Sequence, residues 1–229
     1  MNFGVQMKEE DLFRGFPAER QSFRALSVRR QLKKGEFIFY EDDPGDSCYY
    51  LQEGMVKIFR ITTMGKEPIL MIRKAGEIFG LAEAIGGFER KTSAQAIRSS
   101  VIYQMDGQTF EDFLSRNYPI ARRIMAVLGK RLRYLCEQVG NLMVCDVTTR
   151  LLKHLVYSCS STLMASDALD QPVTFSLDLT QEQLASMTGS CQQTVCETLR
   201  KLQEEGLIEV TGKEITLPDP LKIIRRIEN

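Results

Sequence analysis

Gln192, Gln193, Cys196 and Glu197 fall on one side of a short amphipathic run, and their chemistry is that of base recognition. A Gln amide can pair bidentately with adenine, and a Glu carboxylate can accept from a cytosine amino group. The other side of the run carries Val195, Leu199 and Leu202 at spacings of four and three, the stripe of a buried helix face. A shorter run with Leu184 and Met187 as its apolar face precedes it. Thr180 and Gln183 have the spacing of a capping box. Gly189-Ser190 separates the two runs, and Gly189 can take the left-handed conformation that lets two helices cross steeply. Residues 180–202 therefore predict a helix-turn-helix whose second helix offers its N-terminal half to a major groove. Gln192 and Gln193 are the expected base readers, and Glu197 beside them could accept from a cytosine amino group but would repel a phosphate. Ser190, Thr194, Arg200, Lys201 and Lys213 are the expected backbone contacts.

Such a module needs scaffolding. LIEVTGKEITL after it reads as a hairpin wing turning at Thr211-Gly212-Lys213, and VTFSLDL before it reads as a strand. Asp146 is a good N-cap for a helix with Leu151, Leu152, Leu155 and Val156 on one face, followed by a polar loop over 160–172. Residues 119–143 form a longer helical run, with Pro119 suited to its first turn. Along it Leu128, Leu132, Leu135, Val139 and Leu142 step by four, three, four, three, the seam of a two-stranded coiled coil. The alternative is a helix packed on its own domain. Residues 28–106 alternate β-branched and aromatic runs with glycine turns spaced about every ten residues, the pattern of an antiparallel roll or barrel. Such an interior can hold a small ligand.

The chain of 229 residues has room for two cores. The expected fold is α+β: a jelly-roll-like antiparallel β-roll over 1–118, a dimerisation helix over 119–145 and a winged helix-turn-helix over 146–229. Apolar content of 43% and charged content of 26% are those of a globular protein. No apolar run has the length of a membrane span, and the opening MNFGVQMKEEDLF lacks a signal-peptide pattern, so the expected place is the cytoplasm and no membrane partner is expected. Net charge is zero, but 1–145 hold 22 Lys/Arg against 18 Asp/Glu and 146–229 hold 8 against 12. The half expected to meet DNA is the acidic one, which implies weak non-specific affinity or a few local phosphate contacts. One histidine, no metal-ligand spacing, no nucleophile elbow and no phosphate loop speak against an enzyme.

In order and spacing these segments resemble the CRP/FNR superfamily of bacterial transcription regulators over about residues 20–217. KKGEFIFYEDDPGDSCYYLQEGMVKIFR and AGEIFG resemble its cyclic-nucleotide-type roll, and KTSAQA the small-residue segment near the pocket. VGNLMVCDVTTRLL resembles the end of the dimerisation helix and the hinge, here Met143–Asp146. LTQEQLASMTGSCQQTV and LRKLQEEGLIEVTGKEITL resemble the DNA-binding module. The resemblance implies a homodimer on an inverted-repeat duplex, with an effector between roll and long helix biasing the arrangement of the two recognition helices. It leaves RNA polymerase open as a further partner. Where the family commonly carries Arg, Glu and a later Arg on the recognition helix, this chain has Gln192, Gln193 and Glu197, which implies half-sites unlike the usual consensus.

The same resemblance argues against cAMP. Where the family's cassette has Glu after Gly80, this chain has Leu81; its Arg-Ser pair is replaced by Thr92-Ser93; the helix residues that meet the base are Leu135 and Cys136. A buried phosphate without a guanidinium loses its strongest partner. Arg90 or Lys91 could substitute, though nothing in the sequence fixes either. An iron–sulfur sensor needs N-terminal cysteines, and the first here is Cys48. A haem would need Cys, Met or the N-terminal amine as ligand, which nothing supports, and His154 reads as a helix-surface or interdomain histidine. A small organic anion met by Ile72, Phe79, Gly80, Leu81, Leu128, Leu132 and Leu135, with Arg90, Lys91, Arg131 and Arg133 near the mouth, fits what remains. An arrangement with no effector is the further option. Cys191 at the start of the recognition helix is where a thiolate would be stabilised; ordinary cysteines are the plainer reading. From another class comes a ligand-binding regulatory subunit or scaffold without sequence-specific DNA binding.

Overall fold

The computed structural model describes residues 9–165, 171–177 and 179–228. Two compact units divide the chain, one over Glu9–Gly129 and the other from Lys130 onward.

In the first unit, α1 (Pro17–Ala25) is followed by eight strands: β1 (Val28–Leu32), β2 (Phe37–Phe39), β3 (Ser47–Glu53), β4 (Met55–Phe59), β5 (Ile69–Lys74), β6 (Ile78–Phe79), β7 (Ser93–Ala96) and β8 (Ser100–Asp106). A short helix, α2 (Leu81–Gly86), interrupts the series between β6 and β7, and α3 (Gly107–Arg116) follows β8. The strands form two four-stranded antiparallel sheets, in the orders β1-β8-β3-β6 and β2-β7-β4-β5. Side chains alternate across a strand, so each sheet serves two surroundings. Tyr49, Leu51, Phe79 and Ile102 from one sheet meet Ile38, Phe39, Val56, Ala94 and Ala96 from the other in the core of the roll. From the reverse face of the first sheet, Cys48, Tyr50, Ile78 and Met105 join Leu12, Phe13, Phe23, Phe110, Phe113, Ile120 and Ile124 in a second core under the helices. The expected antiparallel roll is present; α1 and α2 were not expected from the sequence.

The helix expected over 119–143 is α4 (Tyr118–Val144), followed by α5 (Val147–Ala165). The polar loop expected over 160–172 is corrected at its start: α5 continues to Ala165, and 166–170 lie outside the described residues. Asp146 opens α5 by accepting from the Thr149 amide at 2.7 Å. Beyond come β9 (Val173–Ser176), α6 (Gln181–Thr188), α7 (Gln192–Glu204), β10 (Glu209–Thr211), β11 (Glu214–Leu217) and α8 (Pro220–Glu228). The wing sheet has the order β10-β11-β9. A single core gathers Leu151, Leu152, Leu155, Leu184, Val195, Leu199, Leu202, Ile215 and Ile223. Burial of each such aliphatic side chain is worth about 1.5–3 kcal/mol, so α7 is seated by its apolar stripe. The closing helix α8 was not expected from the sequence.

Candidate nucleic-acid interface and effector site

Local chemistry fixes the helix-turn-helix. The Thr180 hydroxyl accepts from the Gln183 amide at 3.1 Å while the Gln183 side chain accepts from the Thr180 amide at 2.9 Å, so two orphan donors of α6 are satisfied reciprocally. Gly189 closes α6 with φ of +62°, and a Cβ there would lie 3.1 Å from Leu142 Cδ2. Both facts favour glycine. Cys191 is the N-cap of α7, and its exposed thiol lies 3.0 Å from the Thr194 hydroxyl. That contact holds the Cys191 pKa below the ordinary thiol range, aided by backbone amides of the first turn.

Gln192 and Gln193 are exposed at the start of α7, as is Glu197 one turn on. The Gln193 amide donates to the Glu197 carboxylate at 2.9 Å, which orients both side chains outward from the same face. Cys196 lies beside them and donates to Gln181 Oε1 at 2.7 Å. Of the expected backbone contacts, Lys201 and Lys213 are exposed, and Ser190 and Thr194 are half-buried at the turn. Arg200 pairs with Glu204 along the exposed side of α7 at 3.2 Å.

Three helices are tied together behind the turn. Arg150 on α5 donates from Nε to the Thr188 carbonyl at 2.8 Å and from Nη1 to the Cys145 carbonyl at 2.6 Å. Lys153 donates to Asn141 Oδ1 at 2.6 Å. His154 corrects the surface expectation: it is 7% exposed, and its Nε2 is buried. Its place could have been read from the i, i+3, i+4 spacing of Leu151, His154 and Leu155, which puts all three on the core face.

Within Glu9–Gly129 the effector candidates have different surroundings. Phe79 lies in the roll core, stacked on Tyr49 at 5.2 Å. Leu81 lies in the other core, with Cys48 and Ile78. Ile72 pairs in register with Lys57, and so shares its face rather than that of Val56, which enters the roll core. Ser93 lies on the opposite side of β7 from the core residues Ala94 and Ala96, and its hydroxyl accepts from the Glu41 amide at 3.0 Å. Thr92 is half-buried, and Lys91 is exposed. Leu128 is half-buried and packs on the second core, with Ile120 and Ile124. Arg131 is half-buried, while Leu132, Arg133, Leu135 and Cys136 are exposed. Of the expected seam, Leu132, Leu135, Val139 and Leu142 form an exposed apolar stripe, Leu132 at 64% and Val139 at 57%, and Leu128 does not belong to it.

Arg90 requires a correction, because the structure fixes it firmly. It is 0% exposed, donates from Nη1 to the Gly80 carbonyl at 3.0 Å and to Glu83 at 3.1 Å, and donates from Nη2 to the Ser47 carbonyl. The guanidinium lies over the Phe39 ring at 4.3 Å and near that of Tyr49. Gly80 has a φ of +71°, which favours glycine, and a Cβ there would stand tightly at 3.0 Å from the Tyr49 ring and 3.1 Å from Arg90. Nothing in the local sequence pointed to this node, whose parts lie 43 residues apart.

An antiparallel roll of two four-stranded sheets and a winged helix-turn-helix with exposed amides at the head of its second helix are the architecture of a helix-turn-helix transcription regulator. The comparisons with known proteins agree. Residues 29–117 match the cyclic nucleotide-binding domain family and residues 149–226 the Crp-like helix-turn-helix domain family. The chain belongs to the CRP/FNR superfamily of bacterial transcription regulators. It is 28% identical over 218 residues to the CRP-like cAMP-activated global transcriptional regulator of Mycobacterium tuberculosis, covering 94% of this chain and 95% of that protein. It is 26% identical to the transcriptional activator protein anr of Pseudomonas aeruginosa, covering 85% and 78%. Among solved structures it resembles a CooA mutant from Carboxydothermus hydrogenoformans, with a TM-score of 0.82, 22% identity and coverage of 96% and 97%. FixK2 from Bradyrhizobium japonicum gives a TM-score of 0.74 at 20% identity, covering 87% and 96%. The two relatives matched by sequence are named as a transcriptional regulator and a transcriptional activator. Among the described residues no helix is long and apolar enough to cross a membrane.

Proposed function

We propose that the chain acts as a homodimer that reads an inverted-repeat operator with Gln192 and Gln193 and is controlled by a small-molecule effector, other than cAMP, in its β-roll domain. The observation that carries the reading is the exposed pair of amides at the head of α7, oriented through Glu197 and seated by a capped, glycine-turned helix pair. The exposed stripe Leu132, Leu135, Val139 and Leu142 supports the dimer. The acidic balance of residues 146–229 then means that sequence-specific contacts carry more of the affinity than general attraction to phosphate. In-vitro selection from random duplexes tests this. The wild-type chain should enrich a palindrome with adenine at the Gln193 position, and Gln193→Ala should relax that base. A chain that enriches nothing would instead be a ligand-binding scaffold of the same fold.

A cyclic nucleotide in the roll is the second reading, favoured by the family match over 29–117 and by the cAMP-activated relatives. The cassette weighs against it. Leu81 offers no carboxylate and Thr92 no guanidinium, Ser93 is engaged by Glu41, and Arg90 is neutralised by Glu83 and two carbonyls. Mass spectrometry and a visible spectrum of chain purified from its host separate an organic anion, a nucleotide and a haem.

A further inference from the structure

We propose that Cys145 and Lys153 form a covalent thiol–amine link when the chain meets a peroxide, and that this link fixes the hinge between α4 and α5, independently of the DNA-binding reading above.

Cys145 and Asp146 are the residues between the end of α4 at Val144 and the start of α5 at Val147. The passage from one helix to the next is therefore made partly by a residue that carries a thiol. Lys153, in the second turn of α5, brings its Nζ to 3.6 Å from Cys145 Sγ. The same Nζ donates to Asn141 Oδ1 at 2.6 Å, and the thiol donates to that oxygen at 3.7 Å. Asn141 is 5% exposed, so a buried amide oxygen gathers an amine from α5 and a thiol from the hinge at one point. Cys145 and Lys153 are both half-buried, whereas Cys48 and Cys159 are sealed in apolar cores. Among the described residues the side-chain partners of Cys145 are Asn141 and Lys153. An amine thus stands where a second, resolving thiol would otherwise be needed.

The chemistry balances with hydrogen peroxide as the oxidant. The Cys145 sulfur, as thiolate, attacks one peroxide oxygen. The S–O bond forms as the O–O bond breaks, which leaves a sulfenic acid and one water; sulfur is oxidised and the peroxide reduced. A sulfenic acid condenses with a thiol to a disulfide or with a nitrogen to a sulfenamide. Lys153, having released a proton to water, attacks the sulfur with its lone pair. The S–N bond forms as the S–O bond breaks, and the departing hydroxide takes a proton from the nitrogen and leaves as a second water. Thiol, amine and hydrogen peroxide therefore give one sulfenamide and two waters.

The position of the link sets its consequence. Arg150 donates from Nη1 to the Cys145 carbonyl at 2.6 Å and from Nε to the Thr188 carbonyl at 2.8 Å. The hinge backbone and the end of α6 are thus already attached to one side chain of α5. A bond from Cys145 Sγ to Lys153 Nζ makes the attachment of the hinge covalent, and the local opening that a few hydrogen bonds permit is suppressed.

The full chain, reduced and then exposed to hydrogen peroxide, tests this by peptide mass spectrometry, with dimedone added afterwards to capture any sulfenic acid that persists. Wild type should yield a peptide pair joined from Cys145 to Lys153, lighter by two hydrogens than the reduced peptides together, and excess thiol should return both side chains. Dimedone should capture Cys145 in Lys153→Gln, whose amide can still donate to Asn141 but does not condense, and not in wild type. Lys153→Arg should behave as Lys153→Gln does and serves if the latter fails to fold. Cys191, whose exposed thiol meets Thr194 rather than an amine, should carry dimedone in every chain and shows that the peroxide acted. Amide exchange over 143–149 should slow on oxidation of wild type and stay unchanged in Lys153→Gln. Dimedone on Cys145 of wild type without the joined peptides overturns the proposal. So does a disulfide at Cys145, a joined pair heavier by one oxygen, or a Cys145 that stays reduced in the folded chain while Cys191 is oxidised. Joined peptides with unchanged amide exchange would overturn the fixing of the hinge.

Discussion

Arg90 and Glu83 meet at 3.1 Å behind Gly80, with the arginine wholly buried. The charge is matched by one carboxylate and two backbone carbonyls, and the cationic plane is covered by Phe39. Removing one partner of such a pair leaves the other stranded, a loss of about 3–5 kcal/mol for a fully buried pair. Glu83 retains some exposure, so the lower end applies. Arg90→Met should therefore lower the unfolding free energy of the roll by about 3 kcal/mol, read from urea titration. Glu83→Met combined with it should cost less than the two separate losses together. A strictly additive cycle would show that the pair does not act as a unit.

The same node bears on the effector. A nucleotide phosphate would have to displace Glu83 or the Ser47 carbonyl from Arg90, with no second guanidinium to receive it. Cyclic AMP should therefore leave the thermal midpoint of the wild-type chain unchanged, whereas a ligand at 100 times its Kd adds about 2.7 kcal/mol of stability. Leu81→Glu with Thr92→Arg would supply the two missing groups by type, although Leu81 lies in the second core rather than in the roll. That variant should remain unresponsive. A clear upward shift in the wild-type chain would establish the cyclic-nucleotide reading instead.

What the sequence made legible was local. The capping of α6 by Thr180 and Gln183, the turn at Gly189 and the N-cap at Asp146 involve residues a few positions apart, whose side chains choose their partners before the fold closes. The antiparallel roll was legible from its turns and alternation. Sidedness was not. Whether Ser93 or Ala94 enters the roll depends on pairing β7 with β4, and a one-residue change of register exchanges the two faces. Ile72 was misplaced for that reason. Arg90 was beyond reach because its acceptors come from Ser47 and Gly80, on different strands or turns. His154, α1 and α8 were readable and missed: the histidine shares a helical stripe with Leu151 and Leu155, and Pro17 and Pro220 each open a helix.

An exposed stripe of Leu132, Leu135, Val139 and Leu142 on α4 should be self-complementary if the chain pairs along it. Glutamate in place of two of them, Leu132→Glu with Val139→Glu, puts like charges opposite one another across the seam. Sedimentation equilibrium should then report single chains where the wild type reports pairs, and affinity for a palindromic duplex should fall far more than affinity for a half-site. Because both positions are already exposed at 64% and 57%, urea unfolding of the separated chains should stay within about 0.5 kcal/mol. A double variant that still sediments as a pair would remove this helix from the interface.

The six cysteines should react in an order set by burial and by the start of α7. The Cys191 thiol is exposed and held below the ordinary thiol range by Thr194, so a larger share is thiolate near neutral pH. Burial pushes Cys159 up to about 12 and Cys48 higher still, and both lie in apolar cores. Iodoacetamide at pH 7 should therefore label Cys191 early and leave Cys48 and Cys159 unlabelled until urea unfolds their domains, as read by peptide mass spectrometry over time. Because the thiolate is the reacting form, lowering the pH should slow every site, and Cys191 should keep its rate to a lower pH than an unperturbed thiol. Thr194→Val removes the hydroxyl while keeping the side chain's shape, so it should slow Cys191 and leave the other sites as they were. If Thr194→Val leaves the Cys191 rate unchanged, the hydroxyl contact does not stabilise the thiolate, and the backbone amides at the head of α7 account for the shift alone.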